Sequence, residues 1–431
     1  MLHAIRAGFI IGQWREASQF RRQVEALLAR AYHTSVSLKH PQFMPSRPDV
    51  CRFGVKEGPA EIGSSLVVKR LRKDEMKLAE TTSSPLTRYL FFNEYAGLKF
   101  LTQETNATSV SPRLFAGDRS IGFLVIEDLK PDSDVGTCLY KRDPMQAEEK
   151  LLLWGSVLGK LHASTTGKQA AFNNIRDALI PHHSSWGWVP PWQRKPKTYE
   201  KLLQTLPVDI RQAGFESFQW MRFALRQVTN YLSLPVPPLA EAELEIVIQA
   251  LHLPGPFLAY THGDPCPDNC LIHENTAKFV DFENGDYRHA LVDAVYTRLC
   301  FPTCWSAQQL PHESIMRIEH TYRAELVKGC PEAADDQIFT HELVHACAYW
   351  VLMLCQFDAI AHFTARDKSW GLFTMRQRIL TRFELFAQTT AEFRHLEALG
   401  SLFHIIASTL RSRWPARTQQ LPLFPAFRRE A

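Results

Sequence analysis

The stretch from Tyr260 to Gly285 constrains the chain more than any other. It reads YTHGDPCPDNCLIHENTAKFVDFENG: the end of an apolar strand, a polar loop, and a short hairpin whose returning strand ends in acidic residues. Because a hairpin brings its two ends together, we expect Asp264, Asn269 and Asp281 to converge. Amide and carboxylate oxygens are the ligands that hold Mg²⁺ with substrate phosphates. The stretch therefore predicts a site for phosphoryl transfer, in which the protein positions groups and neutralises charge.

Length and charge exclude some classes of partner. The chain has 431 residues, enough for two or three domain-sized units. Its formal net charge of +4 is too small to predict a nucleic-acid or membrane partner. No run approaches the ~20 apolar residues of a membrane span, and no secretory cleavage site follows the N-terminus. We expect a cytoplasmic protein without nucleic-acid or membrane partners, and its oligomeric state stays open.

The nine cysteines show no dense, regular spacing. Reduced thiols are expected in a cytoplasmic protein. Two pairs, Cys266 with Cys270 and Cys300 with Cys304, have three residues between their members. A zinc ion held by all of these thiolates is an alternative that the spacing disfavours, because common zinc knuckles have two intervening residues.

The first part of the chain predicts a small sheet with one helix. Residues 13–32 show helical spacing, and residues 33–50, polar and proline-containing, predict a linker or an irregular entry into the first strand. Strands are predicted at 50–55 and 66–68, a helix at 89–103, and two strands within 110–129. The last strand leads into an extended hinge from Glu127 to Leu129.

The rest of the chain predicts a mainly helical unit. Residues 177–200, rich in Trp, Pro and His, predict a long surface loop that includes the Trp-rich positions 186–192. Helices are predicted at 145–162, 215–232, 240–250, 309–328, 335–357, 370–388 and 390–412. We thus divide the chain into an N-terminal extension (1–45), a nucleotide-binding lobe (46–130) and a catalytic, acceptor-binding lobe (131–431).

Four features in chain order resemble the aminoglycoside phosphotransferase and choline kinase superfamily. They are a lysine at a strand end (Lys69), a glutamate in the next helix (Glu94), the loop THGDPCPDN and the strand end VDFENG. The phrases LVIEDL (124–129) and LGKLH (158–162) resemble the family's hinge and its first large-lobe helix. The resemblance implies an α+β, two-lobed, protein-kinase-like fold, with a small antiparallel sheet bearing one helix and a large, mainly helical lobe.

The resemblance also implies a small-molecule kinase that uses ATP and Mg²⁺. Lys69, held by Glu94, would contact the α- and β-phosphates. The hinge backbone, including Glu127 and Leu129, would bind adenine.

The resemblance further implies that Asn269 and Asp281 would coordinate the metal ion. Asp264 would orient the acceptor hydroxyl and take its proton late in the transfer. By the same resemblance, the acceptor would be a small molecule with a hydroxyl group, such as an aminoglycoside, an amino alcohol, a ketosamine or a sugar.

Several positions leave alternatives open. The chain has no G-x-G-x-x-G, and only a loose set of glycines precedes Lys69. Arg70 and Lys73 are rivals to Lys69, and Glu80 is a rival to Glu94.

Three residues around the motifs carry less specific predictions. We expect His262 to brace the loop and Asp293 to hold it in place. Glu283 would bind a second metal, contact substrate or simply face water.

Two other functions compete with the kinase hypothesis. One is a catalytically idle, kinase-like scaffold that binds nucleotide. The other is a zinc hydrolase, because HELVH (341–345) matches H-E-x-x-H, which places two imidazoles on one face of a helix. The apolar residues between and after these histidines favour a packed helix instead.

Overall fold

The computed structural model describes residues 2–44, 47–71, 85–105, 109–180, 208, 217–356, 359–415 and 419–428. For residues 2–16, 48 and 85–88 it describes the backbone alone. The chain forms two compact units. The first unit comprises Met1–Lys130 with Phe172–Pro181, and the second comprises Pro131–Ala171 with His182–Ala431.

An antiparallel sheet forms the centre of the first unit. Its strands are β1 (Ser37–Leu38), β2 (Gln42–Met44), β3 (Arg47–Glu57), β4 (Ser65–Arg70), β5 (Leu114–Asp118) and β6 (Phe123–Glu127). The strand order is β1-β3-β4-β6-β5, and β2 pairs with β3 on the edge of β3 opposite β4. The linker prediction for residues 33–50 is therefore wrong. These edge strands are two or three residues long, too short to show an alternating pattern in the sequence.

Among the described residues of this unit, two helices accompany the sheet, α1 (Leu2–Tyr32) and α2 (Pro85–Gln103). α1 buries Phe20, Val24 and Leu28 in the same core as Phe53 and Val68 of the sheet. The helix predicted at 13–32 is thus confirmed as part of a longer helix, which contributes its apolar face to the core. α2 packs Phe92 and Tyr95 against Leu124 of β6, as the helical spacing at 89–103 predicts.

The second unit is mainly helical. Its helices are α3 (Val135–Leu139), α4 (Pro144–Thr165), α5 (Gln169–Leu179, which continues into the first unit), α6 (Trp220–Leu232), α7 (Pro238–His252), α8 (Leu291–Ala294), α9 (His312–Leu326), α10 (Asp336–Met353), α11 (Ala359–Ala365), α12 (Met375–Phe393) and α13 (Glu397–Arg413). The long predicted helices are confirmed, which also confirms the α+β fold class. In the described part of the chain, no helix is long and apolar enough to cross a membrane.

The second unit also contains short strands. They are β7 (Ser133–Asp134), β8 (Leu258–Thr261), β9 (Cys270–His273), β10 (Thr276–Phe279), β11 (Asp286–His289), β12 (Ser369–Trp370) and β13 (Phe373–Thr374). Among them, β8, β9 and β10 carry the stretch from Tyr260 to Gly285. β9 and β10 form the predicted hairpin, and β9 also pairs with β7. β8 pairs with β11, so both ends of the stretch are fixed by antiparallel partners.

Several predicted boundaries differ from the structure. The helix predicted at 390–412 begins only at Glu397, because α12 continues to Phe393. The helix predicted at 370–388 begins only at Met375, because Thr374 and Gln377 form a capping box there and the preceding residues form the β12–β13 hairpin. The loop predicted at 177–200 begins later, since α5 continues to Leu179. Its Trp-rich part, 186–192, lies outside the described residues.

Candidate active site

A polar loop, residues 262–269, follows β8; we call it the HGD loop. Gly263 turns the chain there with a backbone φ of +77°, a left-handed conformation that residues with a side chain rarely adopt. A Cβ atom at this position would lie 2.4 Å from the carbonyl oxygen of Asn284. Only glycine fits both the torsion and the space, and the loop therefore turns directly beside the segment that follows β10.

His262 braces this loop, as predicted. Its Nε2 donates to the carbonyl oxygen of Val280 at 2.8 Å, and its Nδ1 accepts the backbone N–H of Asp264 at 3.2 Å. The ring is buried, and this burial lowers the pKa of His262. A neutral imidazole with one donating and one accepting nitrogen matches these contacts. Since both nitrogens are engaged, His262 is a structural residue and not a base.

Asp293 fixes the loop from the other side. Its carboxylate, fully buried in α8, accepts the backbone N–H groups of His262 at 2.6 Å and Gly263 at 3.2 Å. Burial acts to raise the pKa of Asp293, but the neighbouring His162 and His262 outweigh it and the pKa is lowered. Hydrogen bonds from backbone amides to a charged carboxylate are strong. The prediction that Asp293 holds the loop is confirmed.

Asn269 joins the HGD loop to the hairpin. Its Nδ2 donates to the carbonyl oxygen of Asp264 at 2.9 Å, and its own carbonyl accepts the N–H of Val280 at 2.9 Å. Asp281 follows Val280 in a left-handed conformation, with φ of 65° and ψ of 56°, which Asp tolerates better than most residues. The structure therefore brings Asp264 and Asn269 together and places Asp281 directly beyond them.

The donor set fits a hard divalent cation. Because Nδ2 of Asn269 is committed to the loop, its Oδ1 is the atom left to face a metal ion. The amide oxygen of Asn269 and the carboxylate of Asp281 are ligands of the type that Mg²⁺ takes together with phosphate oxygens and water. The pKa of Asp268 is raised, first by desolvation and also by Asp134 and Asp281, so three carboxylates influence one another here.

Thr303 is a contact of Asp264 that the sequence did not reveal. Its hydroxyl donates a short hydrogen bond to Asp264 Oδ1. Thr303 is 4% exposed and stands 39 positions from Asp264. No motif surrounds it, because the chain around it is neither a regular helix nor a strand. The aspartate predicted to orient the acceptor is thus itself held by a buried hydroxyl group.

The cysteine predictions are partly wrong. Cys266 and Cys304 form a disulfide bond across 38 positions, so these thiols are not reduced. Cys270 and Cys300 are buried free thiols, and burial raises the pKa of Cys300 to about 12. With two of its sulfurs bonded to each other, the alternative four-thiolate zinc site does not exist. The pattern of spacing in the sequence could not show which cysteines meet in space.

Lys69 and Glu94 form an ion pair in the first unit. Lys69 Nζ lies 2.5 Å from Glu94 Oε1, and the side chains are only 13% and 8% exposed. Arg70, one rival to Lys69, instead packs its guanidinium over the rings of Phe20 and Phe43. The other rivals, Lys73 and Glu80, lie outside the described residues. The predicted lysine and glutamate are therefore partners.

Glu127 ends β6 at the predicted hinge. Its backbone N–H donates to the carbonyl oxygen of Arg113 at 2.9 Å, and its Oε2 accepts the N–H of Arg113 at 3.1 Å. Leu129 follows in chain that is neither helix nor strand. Glu283 lies in the short 3-10 helix after Asp281, and its three alternative roles stay open.

The histidines and the glutamate of HELVH contact one another and two further histidines. Glu342 Oε2 lies 2.9 Å from His289 Nε2 and 3.0 Å from His345 Nδ1. His345 Nε2 lies 2.8 Å from His395 Nε2, and the ring of His341 stacks on that of His395. Among the described residues, these histidines belong to no set of three metal-ligand atoms within 4.8 Å of one another. The glutamate that a zinc hydrolase would use as its base is therefore occupied by two imidazoles.

Comparison with known proteins yields one family. The model of the phosphotransferase enzyme family, APH, matches residues 93–313, just over half of the chain. The matched range includes Glu94 and the whole of the HGD loop and hairpin, and begins after Lys69. A comparison with curated proteins found no match.

Solved structures resemble the chain at low identity. The choline kinase LicA from Streptococcus pneumoniae is 11% identical, with a TM-score of 0.39 over 87% of this chain and 99% of that one. A choline kinase from Cryptosporidium parvum Iowa II is 12% identical, with a TM-score of 0.40 over 86% of this chain and 93% of its own. A streptomycin–ATP–APH(2")-IIa ternary complex is 15% identical, with a TM-score of 0.38 over 78% of this chain and 91% of its own.

Proposed function

The chain belongs to the phosphotransferase enzyme family, and we propose that it transfers the γ-phosphate of ATP to a hydroxyl group of a small molecule. The observation that carries this proposal is the fixation of Asp264. Its loop is held through the backbone by Asp293 and His262, and its carboxylate is held by Thr303. A carboxylate fixed in this way is suited to orient an attacking hydroxyl, which is the main contribution of the aspartate in such transfers.

Asp264 would act mainly through position. The acceptor hydroxyl would donate to its carboxylate, which aligns the oxygen for attack on phosphorus and receives the proton late in the transfer. Asn269 and Asp281 would hold Mg²⁺, which supplies positive charge against the phosphate oxygens when it is bound. Lys69, kept in place by Glu94, would bind a phosphate oxygen of ATP.

An aromatic and acidic pair beside the HGD loop supports an amine-bearing acceptor. Trp305 is 49% exposed, and its indole N–H donates to Asp268 Oδ2 at 3.1 Å. The residue follows Cys304, whose disulfide partner Cys266 lies within the HGD loop. An aromatic face next to a carboxylate favours a cation through both cation–π and charge interactions. We therefore include amino alcohols and aminoglycosides as the first acceptor classes to test.

A transfer assay with labelled ATP tests the proposal. The purified protein is incubated with Mg²⁺, γ-labelled ATP and, separately, choline, ethanolamine, an aminoglycoside, homoserine, a ketosamine and a neutral sugar. We expect label on one acceptor, and loss of transfer when a chelator removes Mg²⁺. The alternative of an idle scaffold predicts Mg²⁺-dependent binding of ATP without transfer to any acceptor and without hydrolysis, and that result would overturn the proposal.

A further inference from the structure

The hydrogen bond between Thr303 and Asp264 lies within a buried group of contacts. Cys266 Sγ is 3.1 Å from Asp264 Oδ1 and 3.3 Å from Thr303 Oγ1. Because this sulfur is bonded to Cys304, it carries no proton to donate. Of these two neighbours, Thr303 alone can therefore donate a hydrogen bond to Oδ1. The Tyr296 hydroxyl lies 3.1 Å from Thr303 Oγ1 and 3.2 Å from the carbonyl oxygen of Gly263.

The backbone around Thr303 is fixed by two buried arginines; we call residues 299–305 the Thr303 segment. Arg378 donates to the carbonyl oxygens of Cys304 at 2.9 Å and Trp305 at 2.8 Å. Arg382 donates to the carbonyl oxygen of Leu299 at 3.0 Å. Both side chains are at most 1% exposed, and burial lowers the pKa of Arg378 to about 9. Since leaving such donors unpaired in the interior is costly, the segment has little freedom to move.

A tryptophan ties this segment to the HGD loop as well. Trp154 of α4 donates its indole N–H to the carbonyl oxygen of Pro265 at 3.0 Å. The ring of Trp154 also packs against the ring of Phe301 at 6.2 Å between centroids. The loop and the segment are therefore joined by a disulfide bond, by a shared aromatic contact and by the Thr303 hydroxyl itself.

Fixing one oxygen of a carboxylate fixes the direction of the other. A hydrogen bond to Oδ1 selects one rotation of the Asp264 side chain, and Oδ2 then points in a set direction. Transfer to a hydroxyl depends steeply on such alignment, since a misplacement of about 1 Å costs on the order of 100-fold in rate. The hydroxyl of Thr303 has one proton to donate, and of its two oxygen neighbours, Asp264 Oδ1 and the Tyr296 hydroxyl, the carboxylate is the stronger acceptor.

We propose that Thr303 is a positioning residue for Asp264: its hydroxyl sets the orientation of the carboxylate that receives the acceptor hydroxyl. The inference rests on the proposed function, because it concerns the same transfer. It adds a residue that no motif marks, which acts from the Thr303 segment without touching either substrate.

The test compares Thr303→Val with Thr303→Ser in steady-state transfer of phosphate from ATP to the best acceptor. Valine keeps the shape of threonine and removes the hydroxyl, whereas serine keeps the hydroxyl. For Thr303→Val we expect kcat to fall about 10- to 100-fold with KM for both substrates within about twofold. We expect Thr303→Ser to recover most of kcat.

The pH profile separates positioning from a merely structural role. A hydrogen bond to a carboxylate favours its charged form, so its removal should move the acid limb of the kcat profile to higher pH in Thr303→Val and not in Thr303→Ser. A structural residue would lower the unfolding midpoint of both variants without moving that limb. Unfolding in urea is therefore measured on each variant.

The results of these measurements distinguish a failed inference from a failed function. A Thr303→Val protein with wild-type kcat and an unmoved pH limb overturns the inference while the proposed function stands. If the valine and serine variants lose kcat equally, the hydroxyl is not responsible and the inference also fails. A wild-type protein that transfers no phosphate, or an Asp264→Asn variant as active as wild type, refutes the proposed function itself, which keeps the two failures distinguishable.

Discussion

Asp293 Oδ2 lies 2.6 Å from the backbone nitrogen of His262 and accepts its N–H. The same carboxylate accepts the N–H of Gly263, the residue that turns the HGD loop. A buried side chain from α8 therefore holds the backbone of the loop that presents Asp264.

Asp293→Asn should loosen the HGD loop. The amide keeps one accepting oxygen and adds an N–H₂ group where two backbone N–H groups converge. We expect the free energy of unfolding to fall by about 1–3 kcal/mol, because buried donors lose their acceptor. We also expect kcat to fall about 10- to 100-fold. Urea unfolding and the transfer assay measure the two effects, and unchanged stability and kcat in the Asp293→Asn variant would show that the loop does not depend on this carboxylate.

Lys69→Met should weaken the interaction with ATP. It removes the ammonium that Glu94 holds at 2.5 Å and leaves the glutamate without that partner. We expect kcat/KM for ATP to fall on the order of 100-fold, with KM for the acceptor almost unchanged. Lys99→Met, on the same helix as Glu94, is the matched control and should retain activity. Equal effects of the two substitutions would contradict a specific role for Lys69.

Reduction of the Cys266–Cys304 bond should destabilise the second unit. The bond closes a loop with a sequence separation of 38, and chain-entropy arguments give about 4 kcal/mol for a loop of that length. We expect Cys304→Ala, or reduction by a dithiol, to lower the free energy of unfolding by roughly this amount. Cys330→Ala, at a buried free thiol, controls for the loss of a cysteine side chain. Identical urea curves with and without the dithiol would show that the bond does not form in solution.

The histidine cluster around HELVH should make stability dependent on pH. Burial, together with the neighbouring His345 and His341, lowers the pKa of His395 to about 4. Below the unfolded value of about 6.5, the unfolded chain then binds a proton that the folded chain does not. Stability should therefore be lost as the pH falls from about 6.5 towards 4. Because His395 is partly exposed, we expect a change on the order of 1 kcal/mol.

His395→Gln provides the control for this pH effect. The variant lacks the titrating group, so the decrease in unfolding free energy between pH 7.5 and pH 5 should be smaller than in the wild type. Urea unfolding at both pH values measures the difference. A decrease as large in the His395→Gln variant as in the wild type would exclude His395 as the source.

The part of the site that the sequence could predict is local. The strands β9 and β10 pair Cys270 with Phe279. The hairpin pattern in the sequence therefore predicts that Asn269 lies opposite Val280 and next to Asp281. The proximity of residues that are close in sequence follows from strand and turn patterns alone. Local patterns could not predict the pairing of Lys69 with Glu94. That prediction came from the order of the corresponding residues in the similar family, and the structure shows the ion pair.

The part that the sequence could not predict depends on long-range contacts through irregular chain. Thr303 reaches Asp264 across 39 positions, and Cys300 and Phe301 just before it have left-handed φ values. Such a segment has no period that would reveal which of its side chains point inwards. The packed helix at HELVH, in contrast, could be predicted, because the apolar residues between and after its histidines indicate it and are buried in α10.

Asp264 is the residue on which the proposed transfer depends most directly. Phosphate transfer from γ-labelled ATP to the best acceptor should be measured for Asp264→Asn beside Glu274→Gln, which neutralises an exposed carboxylate in the turn of the same hairpin. We expect the Asp264→Asn variant to bind ATP with near wild-type affinity and to lose at least about 100-fold in kcat, while the Glu274→Gln variant stays active. Transfer of phosphate at the wild-type rate by the Asp264→Asn variant would contradict the central claim.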